Sequence, residues 1–209
     1  MVKDDNICKM VLSNRDHFFL NLLSFTLHAQ KNFMQQEKNP QVAIIMGSDS
    51  DLKIMKEAAV VLEEFDVRYM ITVMSAHRTP ERAIQFASNA VSNGFKVIIA
   101  GAGGAAHLAG VVAAHTILPV IGVPVLAKSL AGADSLYSTV QMPPGIPVAT
   151  VGVDAARNAG LLAVEMLALS DQTLSGKLIA FKEKMKHGVE EKATELEESG
   201  WKKYLKNRE

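Results

Sequence analysis

One cysteine, Cys8, is all that the 209 residues contain, so no disulfide framework forms within the chain and no multi-cysteine metal site is built. Neither sign of charge is in excess: Lys plus Arg and Asp plus Glu each number 22, for a formal net charge of zero. That balance removes the basic footprint expected of a nucleic-acid binder. No apolar run is long enough to span a bilayer, so no membrane partner is expected. Internal repeats, low-complexity tracts and a phosphate-loop lysine motif are missing. The histidines lack paired carboxylates at ligand spacing, which argues against a metal site.

What is present suits a packed core. Hydrophobic residues make up 48% of the chain and charged residues 21%, and the charge is uneven. Residues 41–170 carry 8 basic and 10 acidic side chains, while the much shorter stretch 171–209 carries 9 and 8. The expected organisation is an N-terminal extension (1–40), an α/β domain (41–170) and a charged helical C-terminal arm (171–209). In the first arm, Lys3, Lys9 and Arg15 precede an apolar stretch from Phe18 to Leu27, a loose likeness to a secretory leader. Asp4, Asp5 and Asp16 spoil the basic region, Asn21 and Ser24 break the apolar stretch, and His28 sits near the would-be cleavage point. The arm reads instead as a helix, or as an extension upstream of a domain beginning near Met34. In the last arm, Leu174, Leu178, Phe181 and Met185 predict an amphipathic helix.

The middle of the chain alternates strands and helices. Val42–Met46 is a continuous apolar run, as in a strand buried on both faces. Val67–Val73, Lys96–Ala100, Pro119–Pro124 and Val148–Val151 read as four more strands. Helices are predicted after Asp51, from Pro80 to about Asn93, from His107 to about Thr116 and from Asp154 to Leu169, with Thr79 as the cap before Pro80. This alternation implies right-handed crossovers and a parallel sheet covered on both faces, a three-layer αβα fold. Every strand-to-helix loop then opens on the carboxyl edge, where ligands of such sheets bind. The loops 47–51, 75–80 and 101–107 share that edge.

Each loop has its own chemistry. Gly47 lets a backbone approach closely, the helix start after it attracts a phosphate, and Ser48 and Ser50 add hydroxyls. Asp51 suits ribose hydroxyls; equally, Ser50 or Asp51 could serve only as a helix cap. Arg78 offers a planar fork for a phosphate, flanked by Ser75 and Ala76. His77 is the natural proton shuttle. Gly101, Gly103, Gly104, Ala105 and Ala106 match the dinucleotide fingerprint loosely, but no acid lies between Ile121 and Ala131 to hold a ribose. The better reading is bare backbone against a flat ligand, its N–H groups facing an anion, with pure packing as the alternative. His107 and Leu108 follow; His107 is a weaker site candidate, and His115 reads as structural or exposed. Ser135, Tyr137, Gln141 and Met142–Gly145 form a polar, proline-rich segment suited to covering a pocket or making a subunit contact.

The strings MGSDSD (46–51), SAHRTP (75–80), IIAGAGGAAHLAG (98–110), GVPV (122–125) and DSLYSTVQMPPGIPVATV (134–151) closely resemble the N5-carboxyaminoimidazole ribonucleotide mutase family, of bacterial type. The likeness spans about residues 41–170 and leaves both arms unexplained. In the related carboxylase branch found in animals the histidine loop typically reads SAHK and GGAAHL is missing, so Arg78 and the 103–108 string place the chain with the mutases. Ala109 departs from the proline usual there. The resemblance implies a flavodoxin-like domain, a cytoplasmic homo-octamer with sites between subunits, and no metal, nucleoside triphosphate or organic cofactor. It implies a small phosphoribosyl aminoimidazole carboxylate as substrate. By position it makes His77 the catalytic histidine, puts Ser48, Asp51 and Arg78 on the ribose phosphate, and makes the 101–107 loop the wall around the imidazole. A flavin or nucleotide module on the same fold, a non-catalytic scaffold, and direct carboxylation by carbon dioxide are the competing readings.

Overall fold

The structure, a computed structural model, describes residues 40–208. The N-terminal arm, with its predicted helix and the domain start near Met34, lies outside the described residues.

Five strands form one sheet: β1 (Val42–Met46), β2 (Tyr69–Val73), β3 (Val97–Gly103), β4 (Val120–Val125) and β5 (Ala149–Thr150). Their order is β2-β1-β3-β4-β5, and every neighbouring pair is parallel. This is the flavodoxin-like doubly wound order. The described residues also form seven helices, α1 (Leu52–Glu64), α2 (Pro80–Asn89), α3 (Leu108–Ala113), α4 (Ala133–Val140), α5 (Ala156–Ala168), α6 (Gln172–Ser199) and α7 (Trp201–Lys206), of which α1 to α5 and the start of α6 pack around the sheet.

The continuous apolar strands are explained by burial on both faces. Val42, Ile44 and Met46 point into one core with α1, α5 and the start of α6. Ala43 and Ile45, on the alternate face, join a second core with α2 and α3. Leu174 and Leu178 of α6 belong to the first core, and Phe181 packs edge-on to Phe65 with ring centroids 5.6 Å apart. Asp171 caps α6, its carboxylate accepting from the N–H groups of Thr173 (2.9 Å) and Leu174 (3.1 Å).

Several element ends differ from the sequence reading. β3 continues three residues beyond Ala100, because Gly101, Ala102 and Gly103 stay in register with Val123, Pro124 and Val125 of β4. The helix expected from Asp154 starts at Ala156; Asp154 itself is left-handed (φ 57). α2 and α3 end earlier than expected, at Asn89 and Ala113. Helix α4 was read only as a polar segment, and it buries Ser135 and Thr139 by bonding their hydroxyls to the carbonyls of Gly132 and Ser135.

α1 and α5 meet at Gly160. A Cβ there would stand 2.9 Å from both the Ala58 carbonyl oxygen and the Val61 Cβ. Alanine normally gains about 1 kcal/mol over glycine inside a helix. Here the collision is with backbone that cannot rotate away, and overpacking costs about 1–3 kcal/mol. Gly160→Ala is therefore expected to destabilise the protein, read as a lower urea midpoint; a midpoint at or above the parent's would show slack between these helices.

Candidate active site

The chain leaves β1 through Gly47, whose N–H donates to the Gly101 carbonyl at 3.0 Å, tying the first loop to β3. Ser48 is extended, and its Oγ accepts from the Ser50 N–H at 3.4 Å, capping a single 3-10 turn at Asp49–Asp51. Ser48, rather than Ser50 or Asp51, is thus the cap. Asp51 makes no side-chain cap bond and is only 8% exposed. Its carboxylate accepts from the Ser50 hydroxyl at 3.2 Å. Burial pushes its pKa above the ordinary 3.8, only partly offset by the hydrogen bonds from Ser50 and the Ser48 backbone.

That shift has a sign for stability. A carboxyl with a raised folded pKa imposes no penalty below its unfolded value, and a growing one as pH climbs through the folded value. Asp51→Asn is expected to leave the melting temperature at neutral pH equal or higher, while weakening substrate binding through the lost acceptor. Calorimetry and a substrate titration check both halves; a lower melting temperature with unchanged affinity would refute it.

The second loop closes on itself. Thr79 does not cap α2 as predicted. Its hydroxyl instead donates to the Ser75 carbonyl and accepts from the Ser75 N–H, both at 3.1 Å, because the loop needs those groups paired more than the proline-led helix does. The Ser75 Oγ accepts from the Arg78 N–H at 3.2 Å and from Arg78 Nε at 3.4 Å. Arg78 Nη2 donates to the Gly47 carbonyl at 2.9 Å, joining the first two loops. Of its five N–H donors the others stay open to the cleft.

The third loop follows β3. A Cβ on Gly103 would lie 3.1 Å from the Val125 carbonyl, and Gly104 is left-handed (φ 63), a conformation glycine adopts without strain. Ser138 of α4 pins this loop: its Oγ accepts from the Ala106 N–H at 2.9 Å and donates to the Asp134 carbonyl at 2.7 Å. His107 stands just before α3. Its Nδ1 lies 2.9 Å from Nε2 of His77, with the rings edge to face at 5.0 Å. Thirty residues apart in sequence, the two imidazoles form one hydrogen-bonded pair, leaving His77 Nδ1 and His107 Nε2 as its free ends.

These loops enclose a cleft of about 490 Å³. Ser48, Ser50, Asp51, Ser75, Ala76, His77, Arg78, Gly103, Gly104, Ala105, His107 and Leu108 all line it. Gly101 does not. It is buried in β3, where a Cβ would strike the Met55 side chain, so its small size serves packing and its carbonyl holds Gly47. His115 lies exposed beyond α3, away from the cleft. Ala102 of the 101–107 loop also lines it, as do two residues that sequence reasoning missed, Leu126 and Ala127. The last two directly follow β4, so applying the edge rule to the fourth strand would have found them. Asp154 holds that segment, accepting from the Leu126 N–H at 2.8 Å. Among the described residues no group of three or more His, Cys, Asp or Glu is placed to hold a metal. No described helix is long and apolar enough to cross a membrane.

A flavodoxin-like sheet with a cleft at its carboxyl edge, lined by an arginine fork, bare glycine backbone and a histidine pair, is the arrangement of α/β proteins that bind small molecules at that edge. Within that class, the chain belongs to the AIR carboxylase family, whose model matches residues 41–188. A Pyrococcus horikoshii relative named N5-carboxyaminoimidazole ribonucleotide mutase is 60% identical over 172 residues, covering 82% of this chain and 97% of that protein. A Schizosaccharomyces pombe relative named phosphoribosylaminoimidazole carboxylase is 57% identical over 167 residues, 80% of this chain but 30% of that longer protein. Among solved structures, Treponema denticola PurE superposes with a TM-score of 0.69 at 31% identity, over 75% of this chain and 98% of that one.

Proposed function

We propose that the protein converts N5-carboxyaminoimidazole ribonucleotide to 4-carboxy-5-aminoimidazole ribonucleotide in purine biosynthesis, as a cytoplasmic homo-octamer without metal or organic cofactor. The observation that carries this reading is the junction, in one cleft, of the Arg78 fork with the His77–His107 pair. The substrate has a phosphate, a ribose and a flat carboxylated ring. Arg78, with Ser48 and Ser50 beside it, suits the phosphate; buried Asp51 suits the ribose hydroxyls; the glycine-rich backbone suits the ring.

The chemistry then needs a proton twice. The bond from the exocyclic nitrogen to the carboxylate breaks, carbon dioxide departs, and His77 in its protonated form delivers a proton to that nitrogen. Carbon C4 of the electron-rich ring attacks the trapped carbon dioxide, forming the new carbon–carbon bond. The C4 proton returns to His77, and the cycle closes without net gain or loss. Keeping carbon dioxide next to C4 supplies much of the rate, since an escaped molecule would have to be recaptured from solution. The hydrogen bond to His107 orients the His77 ring and gives its proton a second resting place. Exposed Leu52, Tyr137 and Val140 support burial between subunits.

Direct carboxylation of aminoimidazole ribonucleotide is the second reading, favoured by the carboxylase name of the Schizosaccharomyces pombe relative. Supplying the carboxyamino substrate, or aminoimidazole ribonucleotide with bicarbonate, in separate assays decides between them. Product from the first at far lower substrate concentration supports the mutase; product from the second alone overturns it.

A further inference from the structure

Among the described residues the His77 ring has one hydrogen-bond partner, Nδ1 of His107 at 2.9 Å. The direction of that ring is therefore set by where His107 stands. His107 in turn is placed by its backbone. Its N–H donates to the Ala105 carbonyl at 2.9 Å, closing a three-residue turn centred on Ala106. Its carbonyl accepts from the Val111 N–H at 3.0 Å, at the opening of α3. Ala106 is buried, so a movement there passes to the His107 ring directly.

A residue outside the cleft fixes Ala106. The Ala106 N–H donates to Ser138 Oγ at 2.9 Å. For the single hydrogen of that hydroxyl the nearest acceptor is the Asp134 carbonyl, four residues back at 2.7 Å; the Gly104 and Ser135 carbonyls stand at 3.3 Å. Bonding back to its own helix holds the serine in one rotamer and turns a lone pair toward Ala106. Helix α4 is itself anchored by two buried hydroxyls, Ser135 on the Gly132 carbonyl at 3.0 Å and Thr139 on the Ser135 carbonyl at 2.7 Å. All of these contacts lie within one chain, so none depends on which surfaces a neighbouring subunit covers. Ser138 does not line the cleft, and it acts only through these bonds.

We propose that Ser138 is a positioning residue: through the Ala106 N–H it sets the place of His107, and through His107 the direction of the His77 imidazole. Its consequence for turnover rests on the reading above that His77 moves the proton. Ser48, Asp51 and Arg78 stand in the other two loops, which Ser138 does not bond, so substrate affinity is set separately.

Ser138→Ala removes the acceptor. Turnover is expected to fall about tenfold while the Michaelis constant stays within about threefold, a split that a general loss of packing would not give. Released from one another, the two imidazoles should react with diethyl pyrocarbonate about threefold faster, read at His77 and His107 by peptide mass. Ser138→Thr should restore both properties, since Thr139 already makes the same bond to the carbonyl four residues back. Ser135→Ala, which strips a buried hydroxyl from the same helix without touching the loop, should change neither. If the alanine variant does not fold, Ser138→Cys takes its place with the same expectations, because a thiol sulfur accepts only weakly. Unchanged histidine reactivity in the alanine or cysteine variant would overturn the proposal, as would losses that Ser135→Ala matches. Faster histidine reaction with normal turnover would support the positioning link and overturn His77 as the proton carrier instead.

Discussion

Replacing His77 with asparagine is expected to lower turnover by about a hundredfold or more, the usual loss for a general acid–base, with fold, oligomer and substrate binding retained. The proposed reaction demands a group that gives a proton to nitrogen and takes one from carbon in the same cycle. Within the cleft loops only an imidazole has an unperturbed pKa near neutrality that suits both steps. Asparagine is too short to replace the Nε2 contact to His107, but the loop is held independently by the Ser75, Arg78 and Thr79 hydrogen bonds and is expected to stay in place. His107→Asn is expected to do less. It removes the imidazole that partners His77 Nε2 at 2.9 Å, while the asparagine amide, which reaches about as far as Nδ1, can still orient the ring, and the shuttle itself stays in place. Steady-state kinetics with binding measured separately checks both variants. A His77 variant with near-normal turnover beside a dead His107 variant would reverse the two roles, which the paired geometry makes the sharpest available contrast.

Arg78→Ala is expected to raise the Michaelis constant about tenfold to a hundredfold with a smaller change in turnover. A charged hydrogen bond is worth about 1.5–3 kcal/mol, and a phosphate far from the reacting carbon is held equally in ground and transition states. The structure adds a second effect. Arg78 also ties the Gly47 carbonyl to the Ser75 hydroxyl, so the alanine variant loosens two loops of the cleft. Arg78→Lys separates the contributions, since lysine keeps the charge but cannot make the forked contacts. Partial recovery of affinity by lysine is the expected outcome. An unchanged Michaelis constant with collapsed turnover in the alanine variant would move Arg78 from the phosphate to the chemistry.

β1, β3 and β4 were legible because burial on both faces leaves no polar position to blur the pattern; β2, at the sheet edge, is only partly buried and carries Thr72. Their ends were less so: β3 runs through glycines that look like loop until β4 pairs with them. Helix α4 was invisible to periodicity because it buries hydroxyls, Ser135 and Thr139, satisfied by carbonyls of its own first turns. Thr79 had the right chemistry for a cap and was claimed by Ser75 instead, a competition between two local partners that sequence cannot weigh.

By itself the sequence determined the parallel sheet and, with it, which edge carries the loops, since alternating strands and helices admit one handedness of crossover. It also determined the residue types brought there: serines, an aspartate, a histidine–arginine pair and glycines. Only the tertiary structure decided that His77 and His107 bond to one another, that Asp51 is buried, that Gly101 packs beneath the cleft and does not line it, and that Ser138 and Asp154 hold the loops from behind. The reason is physical. Local spacing fixes which face or edge a residue occupies, but hydrogen bonds between loops 28 or more residues apart exist only once the sheet has set those loops side by side.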